Sequence, residues 1–495
     1  MSIKVRYKDV AMGADKNATV TTTTKTAFSD AAQLPFGIDS PALATCELNG
    51  WGLTPDYVVR DAEKVAFWST DISNEICDFD FSAVPSIDIS FTNQYTTTGL
   101  TIQFDIESGD YCNGGRVVWY RNTAVLAQEY IFADSPFFVI NKTVEGFNKI
   151  HIEFGNTSLP KKRCKVTYIG IGVVREFGLR ELKSVKAIHE IDPISSTVPV
   201  NVLDVSVHSR DEVDYIFQKK QPVEAWDGSK LIGMYYIDKG ERTGRLDISF
   251  SCKDAIGLYD LVEYEGGLWL TDTPLTTILA DIFGDISVFD IDSALADSML
   301  RGYIPPGKKR EALQHIAFAL GAVVDTSGSD LIKIFPIPHS TPVEISPKRT
   351  YTGGKVTTSD TVTAVEVTAF EITDETPGNG DKSIEFNDVK YKYTPNVAKV
   401  YNPDTVESDL ANVKKFDKCY LINSDNVQRI ANNIMEYYRK RDKYSFKHVM
   451  EGQEVGHQYS ALLPWGDDTP SGVITKMTVT TSNITVSDTE MVLND

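Results

Sequence analysis

The chain has 495 residues, too many for a single core, and with 42% hydrophobic and 24% charged residues its composition is that of a folded globular protein, not a disordered or collagen-like one. Lys and Arg number 49 against 69 Asp and Glu, a formal charge of −20, so binding along duplex nucleic acid or to an anionic membrane surface would begin against long-range repulsion. No run approaches the roughly 18 apolar residues of a membrane span, the start MSIKVRYKDVAMG lacks the apolar core of a secretory signal, and the cysteines (Cys46, Cys77, Cys112, Cys164, Cys252 and Cys419) stand singly, without metal or redox spacing.

Residues 1–43 read as an opening strand followed by a Thr-rich segment from Thr19, suited to an extended arm or an edge strand, and are expected to belong with the first barrel of the chain. Over 44–172 the pattern is all-β: 86–91 and 100–106 alternate at period two, and further runs at 117–120, 137–140, 149–154 and 164–171 are separated by SGDYCNGG, VEGFN and GNTSLPKK. About eight strands at that spacing predict a compact sandwich. Residues 173–253 hold a second β-rich stretch in which Asp227-Gly228 separates two alternating runs, a hairpin signal; this predicts a small barrel.

The period changes over 254–340. Thr273-Pro274 starts a helix with Leu275, Ile278, Leu279 and Ile282 on one face and Gly284 as its stop, and a second helix spans about 310–320 with Gly321 at its end. A hairpin around TSGSD completes a small α+β domain. Strands return over 341–495, broken by one helix at 424–441, where Ser424 is placed to cap and Val427, Ile430, Ala431, Ile434, Met435 and Tyr438 form the apolar stripe.

The segment FQKKQPVEAWDGSKLIGMYYIDKGERTGRLDISFSCKDAIGLYD from Phe217, then REALQHIAFALGAVVDTSGSDLIKIF from Arg310 and NVQRIANNIMEYYRKRDKYSFKHVMEGQEVGHQY from Asn426, resemble in order and spacing the baseplate hub family of phage tails and phage-like contractile particles. Residues 44–172, above all TTTGLTIQFDIESGDYCNGGRVVWYRN, resemble a galactose-binding-like jelly roll. The resemblance implies a mainly β fold with α+β: a jelly-roll sandwich, two hub β-barrels (173–253 and 341–495) and the α+β domain between them. It implies Asp227, Gly228, Gly233, Asp254 and Gly257 as structural residues of the hub motif. It also implies a homotrimer in which two similar barrels per chain make a pseudo-sixfold ring, adapting a sixfold tail tube to a threefold spike. The implied partners are the tube, the spike or needle and other baseplate proteins; the implied location is the virion tail baseplate, assembled in the host bacterial cytoplasm.

No residue pattern points to catalysis. Gly302 to Lys309 nearly spells a phosphate-binding loop, but Pro305 and Pro306 lack N–H groups to cradle a phosphate and Lys309 stands where a hydroxyl would meet magnesium; a connection into a helix is the better reading. The seven histidines show no metal spacing, and no nucleophile elbow is present. The chain is therefore expected to be no enzyme and to need no cofactor or metal; a wall hydrolase ranks last. Trp51, Trp68, Tyr111, Trp119 and Tyr120 in the jelly roll are candidate contacts to cell-wall glycan, because a flat aromatic face suits the CH side of a sugar ring. Trp119 and Tyr120 point to opposite faces of one strand, so one of them belongs to the core. The alternative function is accordingly a carbohydrate-binding tail protein.

Overall fold

The computed structural model describes residues 3–10, 14, 18–22, 43–45, 58–60, 67–82, 84–105, 109–209, 220–337, 340–406, 411–466, 468–481 and 484–494. The fold is mainly β with a few helices, as the sequence predicts. The chain divides into two compact units, a larger one of Met1–Val5, Phe177–Glu212 and Pro222–Asp495 and a smaller one of Arg6–Glu176 and Val213–Gln221.

The smaller unit is built on an antiparallel sheet in the order Phe67–Trp68, Lys165–Gly170, Ser86–Phe104, Phe137–Asn156, Gly114–Arg121, Ala124–Ile131, with Ala18–Thr22 also paired to Ser86–Phe104. The Thr-rich segment thus supplies an edge strand to this unit. The runs expected as separate strands at 86–91 and 100–106 are one strand of 19 residues, and those at 137–140 and 149–154 are one of 20. The polar centre FTNQYTTTG contains no proline and is rich in β-favouring Thr, so the ladder crosses it through register shifts and does not stop there. VEGFN bends without ending the strand: Gly146 adopts φ 68°, and the Arg121 guanidinium donates to the carbonyl oxygens of Glu145 and Gly146. The core is aromatic, with Phe67, Phe104, Trp119, Phe147 and Phe154 fully buried. It also encloses Lys165, whose Nζ lies 2.7 Å from Asp110 Oδ2, so the buried cation is paired.

In the larger unit nine strands follow one another across a sheet: Pro222–Asp227, Lys230–Arg242, Asp247–Lys253, Val202–His208, Leu182–Glu190, Ser471–Thr481, Thr485–Leu493, Asp442–Val449 and Lys355–Thr358. The N-terminal and C-terminal strand groups meet where 185–190 pairs antiparallel with 476–481. At the Asp227-Gly228 hairpin the two turn residues are Gly228 and Ser229, and Gly228 takes φ 62° in the first position. That is the II′ arrangement, in which glycine leads the turn.

Four α-helices lie among the described residues of this unit. α1 (Ala255–Tyr259) is one turn capped by Asp254. α2 (Leu275–Phe283) buries the expected face Leu275, Ile278, Leu279 and Ile282 and stops at Gly284, φ 82°. α3 (Lys309–Leu320) starts with the Lys308 N–H donating to Glu311 Oε2 at 2.9 Å and ends at the left-handed Gly321. α4 (Val427–Arg439) begins later than Ser424, because Asn423 to Asp425 form a turn in which the Asn423 N–H donates to Asn426 Oδ1; the Ser424 N–H donates to Glu371, and its hydroxyl does not cap.

The helices α2, α3 and α4 and the strand Ala364–Thr373 share one core, including Ile278, Leu313, Val365, Val367, Ile430 and Ile434. α4 therefore packs into the core that α2, α3 and the Ala364–Thr373 strand share. Gly302, in the segment that mimics a phosphate loop, serves packing instead. At φ 135° it lets the Met299–Ile304 strand approach Tyr420, whose carbonyl oxygen a Cβ would overlap. Gly302→Ala is expected to cost about 1–3 kcal/mol through strain and overlap, read as lost hydrogen-exchange protection at the 299–304 amides; unchanged protection would refute the close approach.

Candidate functional site

Asp227, Gly228, Gly233, Asp254 and Gly257, the residues singled out by the resemblance, lie on elements that meet at a buried polar joint in the larger unit. Asp254 ends the Asp247–Lys253 strand and caps α1: its carboxylate accepts from the Gly257 N–H (3.0 Å), the Asn201 N–H (3.0 Å) and the Thr326 hydroxyl (2.7 Å). It is wholly buried. Burial pushes its carboxyl up to about 6, against the three hydrogen bonds, and nearby Asp325 adds to the rise. Gly257 is required because a Cβ there would press on Lys253 and Val200.

Around Asp254 the joint widens. Asn201 donates from Nδ2 to Thr326 Oγ1 (2.9 Å) and accepts the Glu190 N–H on Oδ1 (2.9 Å). Asp325, wholly buried, accepts the Ser327 N–H and hydroxyl and lies 2.9 Å from Lys333 Nζ, which also donates to the Ser327 carbonyl at 2.6 Å. Glu454 lies 2.8 Å from Lys230 Nζ and 3.5 Å from Lys333 Nζ. Burial opposes both charges of the Lys333–Glu454 pair, yet Asp325 and Glu454 hold the ammonium above its ordinary range, while Lys230 and Lys333 hold the carboxyl below its own. His189, from the Leu182–Glu190 strand, has Nε2 2.6 Å from the Tyr235 hydroxyl, and burial depresses its imidazole to about 4.

Asp227 and Lys230 flank the hairpin turn and line, with His189, Ser327, Gly452 and Glu454, a cavity of about 270 Å³. Gly233 forms an isolated bridge to Ser327 and lies under the Tyr235 ring, which a Cβ would meet. The five motif residues are thus turn, spacer and cap at a junction of three segments: the first strand group, the 323–335 hairpin and the 450–457 loop. Chemically, Asp325 and Glu454 are paired with Lys333 and Lys230 and Asp254 accepts from N–H groups and a hydroxyl, while Asp227 Oδ1, on the cavity wall, is buried with no hydrogen-bond partner among the described residues. Among the described residues no three His, Cys, Asp or Glu side chains form a metal-binding group.

The sequence missed Asn201, Asp325, Thr326, Lys333 and Glu454. The one available signal was the density of hydroxyls and acids in DTSGSD, which reads as a turn but supplies three of the joint's polar groups.

Trp68 and Trp119 are fully buried, so neither indole offers a face to a sugar; Trp119 is the core member of its strand. Tyr111 and Tyr120 are half-buried, with Lys149 Nζ 5.9 Å from the Tyr120 ring centroid, and Trp51 lies outside the described residues.

No family model matches the sequence, and no curated protein matches it. Solved structures do. The tail protein from Neisseria meningitidis is similar at 11% identity over 64% of this chain and 93% of its own, with a TM-score of 0.46. The tail protein of prophage MuSo2 from Shewanella oneidensis is similar at 7% identity over 65% and 95%, TM-score 0.43, and a prophage tail protein from Listeria monocytogenes at 10% over 64% and 90%, TM-score 0.40.

Proposed function

We propose that this chain is a structural subunit of a phage-type tail baseplate, the trimeric hub between a sixfold tube and a threefold spike. One observation carries the reading: two groups of strands from one chain stand side by side in a single ladder, joined where 185–190 pairs with 476–481. Two β modules per chain are what three chains need to offer six similar surfaces. The ordered motifs from Phe217, Arg310 and Asn426 support the same reading, and the motif residues cap, turn and space the joint without presenting reactive groups. On this proposal the domain scheme is a jelly roll over 44–172, barrels at 173–253 and 341–495 and an α+β region between them, and the partners are the tube, the spike and neighbouring baseplate proteins. The site of action is the virion tail.

Light scattering on the purified chain tests this. The expected particle has three times the 54.9 kDa chain mass and, in negative stain, a ring of six lobes. A monomer throughout the accessible concentration range, alone and with a spike protein added, would refute the hub. The glycan-binding alternative draws no support from Trp68 and Trp119, which are enclosed.

A further inference from the structure

A groove of about 950 Å³ lies away from the joint, at the C-terminal end of α4. Its walls carry Lys414, Arg439, Lys440, Arg441 and Lys443 against Asp360 and Asp404. In a chain of net charge −20 this is a local reversal of sign.

Cations near a helix C-terminus have an ordinary explanation, since they complement the partial negative charge of the unpaired carbonyls. That explanation covers Arg439, which is also held by Asp404 at 2.8 Å and Glu436 at 2.9 Å. It does not cover Lys414, which comes from the Val413–Phe416 strand, or Lys443, from the Asp442–Val449 strand. Lys440 donates to the neutral Asn494 side chain and Arg441 to the Ser359 carbonyl. None of Lys414, Lys440, Arg441 and Lys443 is ion-paired to a described carboxylate, so three elements direct uncompensated positive charge to one groove. Tyr437 and Tyr438, half-buried with rings 5.3 Å apart, give it an aromatic wall for side-chain stems.

We infer that this groove docks an extended acidic segment of another protein, its carboxylates meeting Lys414, Arg441 and Lys443. Charge complementarity names the chemistry, and the field acts at short range. Within a Debye length of about 8 Å at physiological salt the groove's own cations dominate, while a long polyanion such as duplex DNA also meets the repulsion of the whole chain. The inference rests on the groove alone and is independent of the hub reading.

The test is fluorescence anisotropy of a fluorescein-labelled octaglutamate peptide titrated with the full chain, at about 20 mM and about 150 mM salt. Binding is expected at low salt and weaker at high salt. The double variant Lys414→Glu/Lys443→Glu is expected to lose about tenfold or more in affinity, and Lys414→Gln/Lys443→Gln a smaller part of it. The control Lys382→Glu/Lys390→Glu makes the same change in net charge at exposed positions outside the groove and is expected to bind as the parent does. Circular dichroism confirms that each variant is folded; the glutamine pair carries the test if the glutamate pair is not. Equal weakening in the control, no binding at low salt, tighter binding of a DNA oligonucleotide, or a change in the chain's own oligomeric mass on reversal, which would make a second copy the occupant, would each overturn the inference.

Discussion

Lys333→Met is expected to destabilise the larger unit by about 3–5 kcal/mol, the usual cost of stranding a buried charge by removing its partner. The ammonium is the common cation of the joint: 2.9 Å from Asp325, 3.5 Å from Glu454 and 2.6 Å from the Ser327 carbonyl. Without it Glu454 keeps Lys230, but Asp325 keeps only the neutral donors Ser327 and Asn201 and stays close enough to Asp254 to raise that carboxyl. Methionine fills the aliphatic volume of the lysine stem, so the loss reports charge and not a cavity. Hydrogen exchange at amides of the Val323–Asp325 and Ile332–Phe335 strands is the measurement, because a chain of two compact units need not unfold in one step. Asp325→Asn added to Lys333→Met should restore part of the loss, a non-additivity expected only of groups that interact. A loss below about 1 kcal/mol in the single variant would place the pair in the weak class of solvent-screened bridges.

The elements most legible in the sequence are those whose local rules act alone. α2 and α3 begin and end where proline, the Glu311 side chain and glycine place them, because caps and a 3.6-residue period are local properties. The long strands Ser86–Phe104 and Phe137–Asn156 were less legible: polar stretches in their middles look like turns, and only the partner strand keeps the ladder running. The same holds for α4, whose apolar stripe is plain but whose place in the α2–α3 core depends on contacts more than 100 residues apart, as when the Arg429 guanidinium donates to the carbonyl oxygens of Ala319 and Leu320. At the joint, Asp254 and Gly257 stand out as part of a motif, but Asn201, Thr326, Lys333 and Glu454 are common polar residues in unremarkable contexts. Their role appears only when three segments converge, and periodicity carries no information about convergence. The burial of Trp119 was hidden for a related reason, since alternation assigns Trp119 and Tyr120 to opposite faces without saying which face is the core.

Two buried groups of the joint should make stability respond to pH in opposite directions. Burial lifts the Asp254 carboxyl from an ordinary 3.8 to about 6, so between those values the folded chain holds a proton that the unfolded chain has released. Its contribution is fully present below pH 3.8 and is lost as pH rises through 6. Burial depresses the His189 imidazole from 6.5 to about 4, so over nearly the same range the unfolded chain binds the extra proton. That contribution is present above pH 6.5 and is lost as pH falls through 4. Each amounts to about 3 kcal/mol by linkage, and because the signs oppose, the two contributions nearly cancel one another from pH 4 to 6. Single variants should expose the slopes. Relative to the parent, Asp254→Asn should gain stability as pH rises from 4 to 6, on top of a uniform loss because the amide cannot accept from Gly257, Asn201 and Thr326 together. His189→Gln should lose stability over the same rise while its side chain still reaches the Tyr235 hydroxyl. Urea unfolding of the parent and both variants at several pH values between 4 and 7 reads the differences, in which the titration of the surface carboxylates cancels. Two variants that track the parent slope would mean that neither group changes its proton occupancy on folding, and the buried Asp254 cap would then be ionised without penalty.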